Sequence, residues 1–266
     1  MKLPIYNLEG KHSGEIEVGQ ALSKPVRLDI INRCVLAEAA SKRQAYGTDV
    51  RGGKRTSAHY HGERGYRFGM MNREMARLKR IHNQGYMTFV ARFSPQARKG
   101  RQAHPPKAEA VWFQKVNKKE KLIALFSSIS ASTNKSLLSS RGHIISGINS
   151  FPLVIDDKAD EINNTKKLRQ LMISLGLEQE LERVKEKNIR AGMGKNRGRK
   201  YKKKKGPIIV SSNEGGLAKS AKNIAGVDFS SSKKLSISML APGGQPGRLM
   251  IFTKSALEDI IKLSGK

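Results

Sequence analysis

Gly192-Met193-Gly194-Lys195-Asn196-Arg197-Gly198 resembles a phosphate-cradling loop, because glycines let backbone N–H groups close on an anion. Nucleotide-binding loops of that kind leave a strand and open a helix. This one follows a charged helical pattern and runs into Arg199-Lys200-Tyr201-Lys202-Lys203-Lys204-Lys205. Seven of the ten positions 195–204 are lysine or arginine, so the loop is expected to contact the phosphates of a polymer, with Tyr201 stacking on a base or sugar. His59-Tyr60-His61 alternates so that an extended chain puts two imidazoles on one side. A metal would require two further ligands, and the neighbourhood offers only Glu63 among cations that oppose metal binding. Histidines facing RNA, and no metal, are the expectation. Asp156 and Asp157 close an apolar run, where capping and solvation account for them. No HExxH, CxxC, GxSxG or acidic metal cluster occurs, so the sequence predicts no catalytic residues, no cofactor and no small-molecule substrate.

The residues that could do chemistry are therefore cations, and they concentrate in one stretch. Residues 42–107 hold sixteen lysines and arginines against Asp49, Glu63 and Glu74, with eight glycines and four of the six histidines. Apolar residues there are sparse and without a 2.0 or 3.6 period, so little burial offsets the entropy of ordering the segment. An irregular stretch of this length inside a domain reads as a functional loop that orders against an anionic partner. The whole chain has 266 residues and a formal charge of +29, and residues 188–206 contain no acid at all. That charge balance points to nucleic acid. The single cysteine, Cys34, sits among apolar neighbours in a helical pattern and is expected in the core. Met1–Leu8 lacks the apolar region of a secretion signal and no run is long enough to span a membrane, so a cytoplasmic protein with no membrane partner is expected.

Outside that stretch the pattern is globular. Leu3–Leu8 predicts a strand that turns at Glu9-Gly10 and pairs with Glu15–Val18. Ser23-Lys24-Pro25 reads as a helix start, continued by Val26, Ile30, Ile31, Cys34 and Val35. Asn72–Ile81 could form a helical turn or two, with Met75 and Leu78 on one side. Asn117-x-x-Glu120 reads as a capping box opening a helix through Ile129, and Lys135–Ser140 as a shorter helix. Strands are expected at Phe151–Ile155, Pro207–Val210, Val227–Phe229 and Leu249–Phe252. Helices are expected at Thr165–Leu175, Leu177–Lys187, Leu217–Asn223 and after Thr253. Short buried-looking strands alternating with helices predict an α/β fold: a mainly parallel sheet with flanking helices in three layers, and a long basic loop inserted after the first helix. The domain reading is a globular body of residues 1–41 and 108–266, an extended loop of 42–107, and a basic glycine-rich loop of 188–206 within the body.

Three blocks carry a family likeness. They are Lys99-Gly100-Arg101-Gln102-Ala103-His104-Pro105-Pro106-Lys107, Ile189-Arg190-Ala191-Gly192 with Arg197-Gly198-Arg199-Lys200-Tyr201, and Ala241-Pro242-Gly243-Gly244-Gln245-Pro246-Gly247-Arg248-Leu249 followed by Phe252-Thr253. In this order the chain resembles the large-subunit ribosomal protein family conventionally numbered four, in its archaeal and eukaryotic form. The run Lys202–Lys205 departs from the proline-bearing continuation of that family and adds charge. The resemblance implies a non-catalytic protein seated on large-subunit ribosomal RNA, beside other large-subunit proteins, with a long loop that helps wall the nascent-peptide exit tunnel. Implied RNA-binding residues are Arg51, Lys54, Arg55, Arg73, Arg77, Lys79, Arg80, Arg92, Arg98, Lys99, Arg101, His104, Lys195, Arg197, Arg199, Lys200, Tyr201 and Arg248. The implied tunnel tip, in transient contact with the nascent polypeptide, is Arg64, Gly65, Tyr66, Arg67, Phe68, Met70 and Met71. The competing readings are an RNA-modifying or RNA-cleaving enzyme with an α/β core, which would need a cofactor pocket or acid/base pair, and a free RNA chaperone working outside the ribosome.

Overall fold

Leu153-Val154-Ile155, Ile208-Ile209-Val210 and Met250-Ile251-Phe252 are apolar at every position, which only a strand buried on both faces tolerates. In the computed structural model, which describes residues 2–19 and 22–264, these triplets form the centre of a six-stranded sheet. β4 (Lys187–Ile189) and β5 (Tyr201–Lys203) form a separate hairpin, and the strands of the sheet are β1 (Lys2–Tyr6), β2 (His12–Glu17), β3 (Leu153–Ile155), β6 (Ile208–Ser211), β7 (Asp228–Ser231) and β8 (Met250–Thr253). Their order is β2-β1-β3-β8-β6-β7, parallel throughout except for β2, which pairs antiparallel with β1 at the edge. The fold is thus α/β with a mainly parallel sheet and flanking helices.

Alternation along each strand separates two cores. Leu153, Ile155, Ile209, Ile251 and Phe229 face one side, against Leu168, Leu171 and Met172 of α4 (Thr165–Ser174), Leu181 of α5 (Glu178–Lys185) and Leu217 and Ala221 of α6 (Gly216–Lys222). Val154, Ile208, Val210, Met250 and Phe252 face the other, against Phe126 and Ile129 of α2 (Lys118–Ser130) and Leu257 and Ile260 of α8 (Lys254–Ser264). Each such aliphatic side chain contributes about 1.5–3 kcal/mol by leaving water. A third cluster joins Ile31, Cys34 and Val35 of α1 (Leu28–Ser41) to Ala124 of α2 and Ile237 of α7 (Ile237–Leu240). Burial pushes the Cys34 thiol up from its ordinary pKa, consistent with a core residue. The short helix α3 (Lys135–Ser140) is capped by Asn134, whose side chain accepts the Ser136 N–H.

Two helix starts differ from the sequence expectation. α1 begins at Leu28 instead of near Pro25 because Ser127 Oγ accepts the Arg27 N–H at 2.6 Å and donates to the Pro25 carbonyl at 3.0 Å, holding the preceding residues out of the helix. α2 begins after Asn117 as expected, but the Asn117 side chain caps no N–H, and Glu120 turns instead to Arg33. Asp156 and Asp157 do cap. Asp156 accepts the Asp157 N–H, and Asp157 Oδ1 accepts both the N–H and the hydroxyl of Ser255 in the first turn of α8.

The chain divides into two compact units, Met1–Lys42 with Phe113–Lys266, and Arg43–Trp112. The six-stranded sheet and all eight α-helices among the described residues belong to the first. In the second the described backbone forms isolated bridges, His59 with Arg80 and Arg80 with Ala91, a short 3-10 turn at Gly85–Met87, and scattered single bonds such as Met70 N–H to the His61 carbonyl at 2.9 Å and Arg92 N–H to the Lys79 carbonyl at 3.0 Å. No helix forms over Asn72–Ile81, contrary to expectation. Asn72 is left-handed at φ 56°, and the Arg80 guanidinium takes the Ala76 carbonyl at 2.8 Å and the Phe89 carbonyl at 2.7 Å. Met75 is exposed, so the apolar stripe that would have stabilised a helix has nothing to cover.

Candidate nucleic-acid interface

The basic glycine-rich loop is a hairpin. β4 and β5 pair Lys187 with Lys203, Asn188 with Lys202 and Ile189 with Tyr201, and a 3-10 turn over Met193–Arg197 joins them between Gly192 (φ 76°) and Gly198 (φ 77°). Those two positive φ values are why glycine stands at both ends of the turn. The Arg190 N–H donates to the Lys200 carbonyl at 2.8 Å and the Arg199 N–H to the Gly194 carbonyl at 3.1 Å, which closes the turn. Lys195, Arg197, Arg199, Lys200 and Tyr201 are all exposed. Among the described residues no carboxylate lies within ion-pair distance of any of these four cations. A cation left without a carboxylate on a rigid turn is free to neutralise phosphate, and the glycine backbone can follow it in.

The hairpin's base is fixed by charge of a different kind. Arg248 is fully buried, and its guanidinium donates to the carbonyls of Gly206 at 2.8 Å and Met239 at 2.7 Å and to Asp228 Oδ2 at 2.7 Å. Arg248 was expected on RNA; its side chain is instead spent inside the fold, so that assignment is corrected. Asp228 also receives Lys205 Nζ at 2.8 Å. Burial acts to raise the Asp228 pKa, but the Lys205 hydrogen bond and the Arg248 charge prevail and hold it below the usual carboxylate range. Beside it, Arg183 donates to the Lys205 carbonyl at 3.0 Å and to Glu180 Oε1 at 2.6 Å. Glu180 is fully buried and also receives His143 Nδ1 at 2.6 Å and the Ile144 N–H at 3.0 Å. The Leu249 N–H donates to His143 Nε2, so Nδ1 carries the ring proton and gives it to Glu180. Burial pulls the Glu180 pKa up, yet the hydrogen bonds of Arg183 and His143 outweigh it and leave the carboxyl below its ordinary value.

The glycine-proline block before Arg248 is likewise a brace. Arg141 donates to the carbonyls of Gln245 and Pro242, and a Cβ on Gly244 would strike the Asn32 side chain.

In the second unit the cations are of two kinds. Arg51, Lys54, Arg77, Arg98, Lys99 and His104 are exposed. Arg55 is exposed too but meets Asp49. Arg80 and Arg92 are half-buried and hold backbone carbonyls, Arg92 that of Arg98 at 2.8 Å. Arg101 is also half-buried. Arg73 and Lys79 lie 4.3 Å from the ring centroids of Phe89 and Phe93. All the non-glycine residues with positive φ among those described fall here: Asn72, Asn83, Phe89, Phe93 and Lys99. At the expected tip, Arg64, Gly65, Tyr66 and Arg67 are exposed and Met71 is half-buried. Phe68 and Met70, also implied for the tip, are buried and face inward. Phe68 stacks on His82, centroids 4.8 Å apart and planes 10° from parallel. Burial lowers the His82 pKa, as do His59 and His61 beside it.

The pattern of the Ribosomal protein L4/L1 family matches residues 16–263. The chain belongs to that family. Its relatives include the large ribosomal subunit protein uL4 of Nanoarchaeum equitans, 42% identical over 98% of this chain and 97% of that one. The protein of the same name from Methanopyrus kandleri is 40% identical over 97% of each chain, and that from Methanosphaera stadtmanae 38% identical over 97% and 96%. The family match spans both units, so the irregular residues 43–112 are part of the shared chain and not an appendage to it.

Proposed function

We propose that this protein is a structural constituent of the large ribosomal subunit, working in the cytoplasm as an RNA-bound scaffold and not as a catalyst. The observation that carries the reading is that relatives sharing about 40% of residues over nearly the whole chain are each a large ribosomal subunit protein. The β4–β5 hairpin supplies one RNA contact, through Lys195, Arg197, Arg199, Lys200 and Tyr201. Residues 42–107 supply the other, as a long loop inserted after α1 that threads among phosphates through Arg51, Lys54, Arg77, Arg98 and Lys99. The five left-handed non-glycine residues support that role, since each costs about 1 kcal/mol or more in a segment without α-helix or continuous strand among the described residues. A partner that binds the segment supplies the difference. Arg64, Gly65, Tyr66 and Arg67 then present an exposed charged turn to the nascent-peptide exit tunnel, and neighbouring large-subunit proteins cover part of the α/β body.

Sedimentation tests the reading. A cell lysate resolved on a sucrose gradient and blotted for the protein is expected to show it in large subunits and whole ribosomes. A protein found mostly in the unassembled fractions would overturn it.

A further inference from the structure

Three imidazoles converge in the second unit where the sequence offered two. His59 and His61 alternate along an irregular strand, and the antiparallel bridge between His59 and Arg80 brings His82 alongside them. The ring centroids of His59 lie 4.4 Å from those of both His61 and His82, and one ring nitrogen from each of the three lies within 4.8 Å of the other two. The nitrogens are also in the right form to ligate. His59 Nδ1 sits 2.8 Å from the Ser57 carbonyl, which can only accept, so Nδ1 carries the proton and Nε2 keeps its lone pair. Nε2 of His61 and Nε2 of His82 are both shielded from solvent and meet no hydrogen-bond partner. Buried unsatisfied polar atoms are uncommon, and two on adjacent rings call for a ligand.

We propose that His59, His61 and His82 form a binding site for one divalent transition-metal ion of the zinc class, with a fourth position open to water. Three imidazoles and no carboxylate select zinc, cobalt, nickel or copper over magnesium and calcium, which take oxygen ligands. A tetrahedral ion holds ring nitrogens at about 2.0–2.1 Å, so the three must draw in from the present spacing when the ion binds. The nearby Arg80 charge opposes a second cation, but that guanidinium is engaged by the carbonyls of Ala76 and Phe89. The ion would tie residue 59 to residue 82 across a segment without continuous helix or strand among the described residues, adding a cross-link beside the His59–Arg80 bridge. This proposal is independent of the ribosomal reading, since its geometry lies wholly within residues 57–82.

Cobalt(II) added to the purified full-length chain is expected to bind at about one equivalent, with the visible absorption of four-coordinate geometry, and to be displaced by zinc. His82→Phe keeps an aromatic ring against Phe68 and removes the ligand, so it should lose the signal, as should the exposed His59→Ala. His12→Ala, in β2, should keep it. Zinc at a hundred times its Kd should slow tryptic cleavage at Arg64 and Arg67 by up to about a hundredfold in the parent chain and not in His82→Phe. Cobalt uptake that is absent in the parent chain, or that survives His82→Phe and His59→Ala, would overturn the proposal and leave the cluster as aromatic packing alone.

Discussion

The base and the tip of the β4–β5 hairpin both rely on arginine, and they use it in opposite ways. At the base, Arg248 and Arg183 each meet a carboxylate and at least one backbone carbonyl, and Arg248 is wholly out of solvent. At the tip, Arg197 and Arg199 are exposed, with no carboxylate within ion-pair distance among the described residues. A formal charge of +29 is therefore not one uniform coat. Some of it is consumed in fixing where a loop leaves the fold, and what remains unpaired is what a polyanion can use. Residues 43–112 mix the two uses in one stretch, with Arg80 and Arg92 holding carbonyls while Arg51, Arg77 and Arg98 stay exposed.

Removing the buried cation should have the largest effect. Arg248→Ala leaves Asp228 half-paired and the Gly206 and Met239 carbonyls without their donor, and breaking a buried pair from one side costs about 3 kcal/mol or more. Arg197→Ala, on the exposed turn, should change stability by no more than about 0.5 kcal/mol. Urea unfolding followed by circular dichroism measures both. Equal losses in the two variants would erase the distinction between base and tip.

The sequence carried this distinction only in part. The sheet was legible because apolar triplets such as Ile208-Ile209-Val210 leave no face for water, and the helices because Leu168, Leu171 and Met172 recur at helical spacing. The hairpin strands were not, since Lys187–Ile189 and Tyr201–Lys203 are exposed at every position and show no alternation. Arg248 looked like one more basic residue after a glycine-rich block. Only the fold shows Asp228, 20 residues upstream, waiting for it. The helix expected at Asn72–Ile81 failed for a related reason: arginine side chains compete for the carbonyls a helix would need, as Arg80 does at Ala76. His82 went unpaired with His59 and His61 because the bridge that joins them has no periodic signature.

An effect of the second rank belongs to the tip. Replacing Arg197, Arg199 and Lys200 by alanine together should lower the slope of log K against log salt for large-subunit RNA by about two to three units. Folding stability should stay within about 1 kcal/mol of the parent. In a chain already carrying Arg248→Ala, the same triple change should give a combined stability loss equal to the sum of the two separate losses within about 0.5 kcal/mol, because the two sites share no partner. A salt slope unchanged by the triple replacement would mean that the exposed turn does not meet phosphate.

The smallest effect is a pH dependence at the base. Glu180 is held below its ordinary pKa in the fold by Arg183, His143 and the Ile144 N–H, against the opposing pull of burial. A carboxyl with a lower pKa folded than unfolded binds fewer protons in the native state. Its contribution to stability is thus fully present above the unfolded value of about 4.5 and is lost as pH falls through the lower folded value. Glu180→Gln removes that titration while keeping the shape. The parent chain should lose stability on acidification below about pH 4.5 more steeply than Glu180→Gln, whereas near pH 7 the variant should be the less stable of the two, having lost its charge-assisted bonds to Arg183. Lys205 and Asp228 sit beside this cluster, and Asp228 titrates with the same sign, so the difference between the two chains isolates Glu180 from its neighbour. Parallel acid limbs in the two chains would show that Glu180 titrates alike in the folded and unfolded states, and that its bonds at the hairpin base are geometric only.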